Sequence, residues 1–167
     1  MDKVVFTSSS DPNVSISLNE DIRNHLQRHF NSDMSGSKFI FDSPNTLLQI
    51  IVDEYPDTIR KASFNEYSCK VVSITFPFDI GYCNVISLDD VTADELSTLH
   101  IIQRGETKAR CINSQRKIPT KECQLILDED NNVITAYPGE LAPPLPESPD
   151  IHDEYWDNHV FIEPESK

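Results

Sequence analysis

The chain has 167 residues, enough for one domain of ordinary size, and 38% of them are hydrophobic, which argues against disorder. It carries 14 Lys and Arg against 28 Asp and Glu, a formal net charge of −14. A chain this acidic is a poor general binder of nucleic acid or anionic lipid, so a nucleic-acid function requires a local basic patch.

Targeting and cysteine patterns give further limits. No apolar run reaches the ~18 residues that a membrane helix needs, and the first residues lack the pattern of a signal peptide. We therefore expect a cytoplasmic protein without membrane binding. The four cysteines are Cys69, Cys83, Cys111 and Cys123, and they form no C-x-x-C pair and no zinc pattern. We therefore expect reduced thiols in or near strands, and we expect neither a bound metal nor a cofactor.

The first half predicts two short strands and two helices. Residues 3–18 read as strands around a Ser/Asp/Pro/Asn turn. Asn19 can cap a helix that ends near Asn31, where the turn-forming run SDMSGS begins. Ser43, followed by a proline, begins a second helix with an apolar stripe, and Pro56 ends or kinks it.

The second half is rich in strands. Thr92, with Glu95 three residues later, forms a capping box for a short helix. Strands are predicted at 69–78, at 82–88, once or twice within 100–113, at 122–130 and at 132–139. The last two of these strands are predicted to form a hairpin around Asp130-Asn131. Helices followed by closely spaced strands predict an α+β fold, with two N-terminal helices packed on a mostly antiparallel curved sheet.

The chain changes character near Pro138. Residues 1–139 are predicted to form a single α+β domain. Residues 140–167 form a Pro-rich acidic extension, whose proline segment suits an extended conformation wrapped on the domain. Its apolar residues, Trp156 among them, predict that it docks on the same domain.

Charge is distributed unevenly. Residues 124–167 hold eleven acidic residues and one base, whereas residues 100–123 hold six bases and two acids. One interpretation is a solvated strand face that pairs with the acidic tail. The other is an anion site for phosphate or an RNA backbone. The six bases are Arg104, Lys108, Arg110, Arg116, Lys117 and Lys121.

Several familiar motifs are absent. With four glycines and no GxxxxGK[ST], GxGxxG, GxSxG or HExxH run, the chain lacks the glycine-rich loops of nucleotide enzymes. His25 and His29 share one helix face, and His152 and His159 flank acidic residues of the tail. Both pairs can be explained as exposed histidines or, alternatively, as metal ligands.

Five residues suit phosphodiester chemistry. A metal-independent ribonuclease needs a general acid and base, often His, and a cation for the charge that develops on phosphate. Residues two apart in a strand share a face. The five residues are His100, Arg104, Lys108, Thr135 and Tyr137. If the strands that carry these residues are neighbours on one sheet, the five side chains can line one groove.

Residues 100–139, which end in NVITAYPG after a hairpin turn and a basic strand, resemble the end of barnase-like, EndoU and colicin-type ribonuclease toxin domains. The resemblance implies a site made of a His, a cation and a Thr or Tyr. The run TAYPGELAPPLP separately resembles an uncharacterised bacterial protein family, which implies no activity.

Three functions follow as hypotheses. The first is a toxin-type ribonuclease that binds RNA through the basic segment 100–123, with His100 as general acid and base. The alternative is a non-enzymatic module that binds a protein partner through its Pro-rich acidic tail. The third is metal binding through the histidines and carboxylates of the tail.

Overall fold

The computed structural model describes residues 3–30 and 38–163. It contains the helices α1 (Glu20–Leu26), α2 (Pro44–Glu54), α3 (Pro56–Lys61) and α4 (Ala93–Leu96). Its strands are β1 (Lys3–Thr7), β2 (Ser15–Asn19), β3 (Lys38–Phe39), β4 (Lys70–Thr75), β5 (Gly81–Cys83), β6 (Val85–Ser87), β7 (His100–Arg104), β8 (Thr107–Asn113), β9 (Ile118–Thr120), β10 (Glu122–Leu127), β11 (Val133–Pro138) and β12 (His159–Glu163). The α+β class and the mostly antiparallel pairing are confirmed. No helix among the described residues is long and apolar enough to cross a membrane.

The helix boundaries follow the predicted capping residues. The Asn19 side chain accepts a hydrogen bond from the Ile22 N–H at 2.8 Å, and Ser43 caps α2. Helix α2 ends at Glu54, and Pro56 begins α3, because a residue before proline disfavours helical geometry. The predicted helix end near Asn31 and the turn after it lie outside the described residues.

The strands form four sheets among the described residues. Their orders are β1-β2, β11-β10-β4, β3-β5-β9 and β6-β12-β8-β7. The predicted hairpin is formed by β10 and β11, with Asn131 in the left-handed region at φ 63°. In the last sheet, β12 pairs antiparallel with β6 and parallel with β8, so the C-terminal strand is an inner strand.

The chain divides into two compact units. One comprises residues 1–82 and 119–140, and the other comprises residues 83–118 and 141–167. The sequence placed residues 1–139 in one domain with 140–167 docked on it. In the structure, 141–163 instead combine with 83–118, because β12 takes its place beside β8 and supplies core residues there.

The first unit has one hydrophobic core. Helix α2 contributes Leu48, Ile51 and Val52, all with no exposed surface, and β10 contributes Leu125 and Leu127. The apolar stripe of α2, with its spacing of three and four residues, therefore lies in this core.

The second unit has apolar side chains on both faces of its four-stranded sheet. One face carries Ile86, Ile112, Val160 and Ile162. The other carries the cluster Ala109, Cys111, Trp156 and Phe161, against which Ala142 and Leu145 of the Pro-rich segment pack. The indole N–H of Trp156 donates to the Pro143 carbonyl at 3.0 Å. The Pro-rich segment is thus held by a specific hydrogen bond as well as by apolar contact.

A carboxylate holds α4 on the second unit. Glu95 completes the predicted capping box with Thr92 and accepts hydrogen bonds from Ser114 Oγ at 2.6 Å and from Arg116 Nε and Nη2 at 2.8 Å each. The Arg116 hydrogen bonds, followed by that of Ser114, lower the pKa of Glu95 to about 2 from an ordinary value of 4.5. The ionised form is therefore the one that the fold stabilises.

We expect Glu95→Gln to lower the free energy of unfolding by about 1–2 kcal/mol at pH 7. A carboxyl with a lowered folded-state pKa stabilises the protein above its unfolded pKa, and this contribution is lost as the pH falls from 4.5 towards 2. The difference between the parent and the variant should consequently shrink at pH 3. Urea unfolding followed by the fluorescence of Trp156, the single tryptophan, measures it. The matched control is Glu106→Gln, an exposed carboxylate in a turn; an equal loss in both variants would contradict this role of Glu95.

Candidate metal-binding site

The predicted site residues His100 and Arg104 lie on one face of β7. They are four residues apart in the strand, and both are half-buried. Lys108 lies on the opposite face, because the chain turns at Gly105 (φ 60°) and the register places Lys108 opposite Gln103. The expectation that Lys108 shares a face with His100 and Arg104 on one extended segment is therefore wrong.

Thr135 and Tyr137 lie on β11, in a different sheet. They pair with Ile126 and Gln124 of β10, whereas β7 pairs with β8. The predicted groove depended on the two strands being neighbours in one sheet, and they are not. His100 and Arg104 thus share one face of β7, whereas Thr135 and Tyr137 lie on another sheet.

A cluster that the sequence analysis missed surrounds His100. Strand pairing places Cys111 of β8 directly opposite His100, and Phe161 of β12 beside Cys111. Glu163, two residues beyond Phe161, then shares their face of the sheet. One ring nitrogen of His100, the Cys111 sulfur and a Glu163 oxygen all lie within 4.8 Å of one another. Three adjacent strands thus each contribute one potential metal ligand.

The orientation of His100 is fixed by its neighbour. Its Nδ1 lies 2.9 Å from the Thr98 carbonyl oxygen. A carbonyl can only accept, so Nδ1 carries the proton, and in the neutral ring Nε2 keeps the lone pair. The Thr98 side chain is itself held in place, because its hydroxyl donates to the backbone carbonyl oxygen of Glu95 and accepts from the Asn113 N–H. A hydrogen bond from the other ring nitrogen is the usual support of a metal-ligating histidine.

Cys111 is completely buried. Burial, followed by the nearby Glu163 carboxylate, raises the pKa of its thiol to about 11, and Arg104 opposes this only in part. The sulfur is therefore a neutral thiol at pH 7 unless a metal ion displaces its proton. This environment does not suit a free thiolate nucleophile.

Arg104 completes the cluster. Its guanidinium carbon lies 4.1 Å from the centre of the Phe161 ring, and its Nη2 lies 3.5 Å from a Glu163 oxygen. Its Nε is buried and has no hydrogen-bond partner among the described residues. Arg104 is thus held by the aromatic ring and only loosely by the carboxylate.

Several of the other bases have partners of their own. Arg116 bonds to Glu95, Lys121 lies 3.2 Å from Asp79, and Arg110 donates to the Trp156 carbonyl. Lys108 and Arg110 line a groove beside the Pro-rich segment that is also lined by an acidic residue, Asp157. Much of the basic segment is therefore engaged in local pairing.

The histidines of the tail have local contacts of their own. His152 bonds to Asp157, and the His159 ring stacks on Tyr155 with the ring centres 3.9 Å apart. Within residues 3–30 and 38–163, the group around Cys111 is the one set of three His, Cys, Asp or Glu side chains close enough for a shared ion.

Comparisons with family models, with curated proteins and with solved structures find no match to this chain.

Proposed function

We propose that this protein binds a divalent transition-metal ion, for which Zn²⁺ is the best chemical fit, through His100, Cys111 and Glu163. The observation that carries the proposal is the convergence of their ligand atoms within 4.8 Å on one sheet face. Nitrogen, sulfur and oxygen donors together suit zinc, whereas magnesium and calcium prefer oxygen alone.

The ligand set supports a particular kind of site. Zinc binds at 2.0–2.3 Å from such atoms, so tetrahedral ligands lie about 3.3–3.8 Å apart. From separations of at most 4.8 Å, small side-chain rotations are enough to reach this geometry. Three protein ligands leave one coordination position for an exogenous group, which is the pattern of a reactive or ligand-binding zinc and not of a closed structural one.

Arg104 opposes the binding of a metal ion at the proposed site. Its positive charge repels an incoming cation, and its Nη2 lies closest to Glu163, one of the ligands. Metal binding therefore requires Glu163 to exchange the guanidinium for the ion. Since the present contact is 3.5 Å, longer than a good charge-assisted hydrogen bond, little is lost in that exchange.

Equilibrium dialysis of the chelator-treated chain against Zn²⁺ or Co²⁺ tests the proposal. We expect one ion per chain and, with Co²⁺, the absorption of a sulfur-to-metal charge transfer. His100→Ala, Cys111→Ala and Glu163→Gln should each weaken binding at least tenfold, and Cys111→Ala should also abolish the charge-transfer absorption.

The matched control is Cys123→Ala, because Cys123 is equally buried but lies in the first unit. It should bind metal as the parent does. Absence of stoichiometric metal in the folded parent, or equal binding by Cys111→Ala and Cys123→Ala, would overturn the proposal.

A metal-independent ribonuclease is the second candidate. What favours it is the position of His100 and Arg104 on one strand face, where an acid-base group and a cation for phosphate are both needed. This smaller version does not use Lys108, Thr135 or Tyr137. RNA cleavage by such an enzyme would persist in EDTA and be lost in His100→Ala. Lack of any cleavage by the purified parent would remove the candidate.

A further inference from the structure

The Arg104 guanidinium presents a hydrogen-bonding edge that the described chain leaves incomplete. Its Nε is buried without an acceptor among the described residues, and its Nη2 lies 3.5 Å from a Glu163 oxygen. The guanidinium also interacts with the Cys111 thiol, which is a weak acceptor. A buried donor without a partner is costly and rare, so it calls for an explanation.

Aromatic packing limits how far this edge can move. The guanidinium lies over the Phe161 ring at 4.1 Å, and that ring stacks on Trp156 with the ring centres 5.0 Å apart. Turning Arg104 away to find another acceptor would break its contact with Phe161. The edge is therefore held in place, and about a third of the side chain remains open to solvent.

Arg116, in the same unit, indicates which acceptor suits such an edge. Its Nε and Nη2 each lie 2.8 Å from the Glu95 carboxylate, one bond to each oxygen. This is the paired arrangement in which a planar guanidinium matches a planar carboxylate. On Arg104 the same two nitrogens lack such a partner.

We infer that the site takes a small carboxylate anion together with its metal ion, and that Arg104 recognises the anion. The inference rests on the proposed function, because Glu163 turns from Arg104 to the ion only when metal binds. The incoming carboxylate then replaces Glu163 at the Arg104 edge and completes the open coordination position. A molecule that bears a carboxylate is accordingly the class of ligand that this site would bind.

Zinc affinity measured with and without acetate tests the inference, after correction for zinc held by acetate in solution. We expect saturating acetate to raise the affinity of the parent about tenfold, the size of an ordinary coupling between two ligands. In Arg104→Gln, acetate should give no gain over the zinc affinity that this variant has without acetate. The matched control is Lys108→Gln, which removes one positive charge from the opposite face and should keep the full gain.

The outcomes separate the two proposals. If the parent binds zinc but acetate changes nothing, or if Arg104→Gln keeps the gain, the anion inference fails and the metal site stands. If sulfate raises the affinity more than acetate does, the assignment to carboxylates is wrong. If the parent binds no zinc at all, the proposed function itself fails.

Discussion

A chain that ends at Glu140 should lose the four-stranded sheet of the second unit. The truncation removes β12, which lies between β6 and β8, and takes Val160 and Ile162 from one face. It also removes Trp156 and Phe161 from the other face. Loss of one large core side chain costs about 2–5 kcal/mol, so loss of four costs about 8–20 kcal/mol, which is comparable to the whole stability of a typical domain, about 5–15 kcal/mol.

Amide hydrogen exchange in the hairpin of β7 and β8 measures this loss. The matched control is a chain that ends at Glu163, which keeps β12 and should exchange as slowly as the parent. If the hairpin is equally protected in the chain that ends at Glu140, the tail is dispensable for folding. The hypothesis of a tail that captures a protein partner, which stays a prediction, would then gain support.

Zinc affinity should rise about tenfold for each unit of pH above 7.5. Burial and Glu163 raise the pKa of the Cys111 thiol to about 11, so the free protein holds that proton throughout this range. A zinc ion binds the thiolate, and one proton is therefore released for each ion bound. A raised pKa means that protons compete with metal, and the competition weakens as the pH rises.

Titration with zinc at several pH values, with free zinc fixed by a metal buffer, measures the slope. The range begins at pH 7.5, above the region in which free imidazole takes up a proton. In Cys111→Ala the residual affinity should change little with pH, whereas Cys123→Ala should keep the parent slope. A flat profile in the parent would mean that the Cys111 sulfur is not a ligand.

Local features of the fold were predictable because they depend on neighbouring residues. Asn19, Ser43 and Thr92 cap the helices predicted from them, and the Asp130-Asn131 turn joins two strands as expected. In each case a side chain satisfies a backbone group a few residues away, so the sequence alone contains the information.

Long-range arrangements were not predictable in the same way. Nothing near residue 160 indicates a parallel partner about 50 residues earlier, yet β12 pairs with β8 in that manner. For the same reason the sequence predicts residues 140–167 as an extension wrapped on one domain, and it does not indicate the division of the chain into two units.

The candidate site was predicted in part. The chemistry of His100 and Arg104 distinguishes them in the sequence, whereas the sequence predicts Cys111 as a reduced thiol in or near a strand, and Glu163 is one acid among eleven in its segment. Gly105 was the available signal for Cys111: a turn there folds β8 back on β7 and places Cys111 opposite His100. No comparable signal identifies Glu163, because its position depends on the parallel pairing.

The interleaving of the two units along the chain has a consequence for biosynthesis. Every segment of the first unit precedes residue 141, so all strands of its sheet β11-β10-β4 are synthesised before β12. The hairpin of β7 and β8 is made earlier, but its neighbour β12 ends only at Glu163. Until then the β8 edge of the nascent hairpin has no partner strand, and the proposed metal site lacks its carboxylate. Zinc can therefore bind through all three side chains only after Glu163 has been synthesised and has left the ribosome.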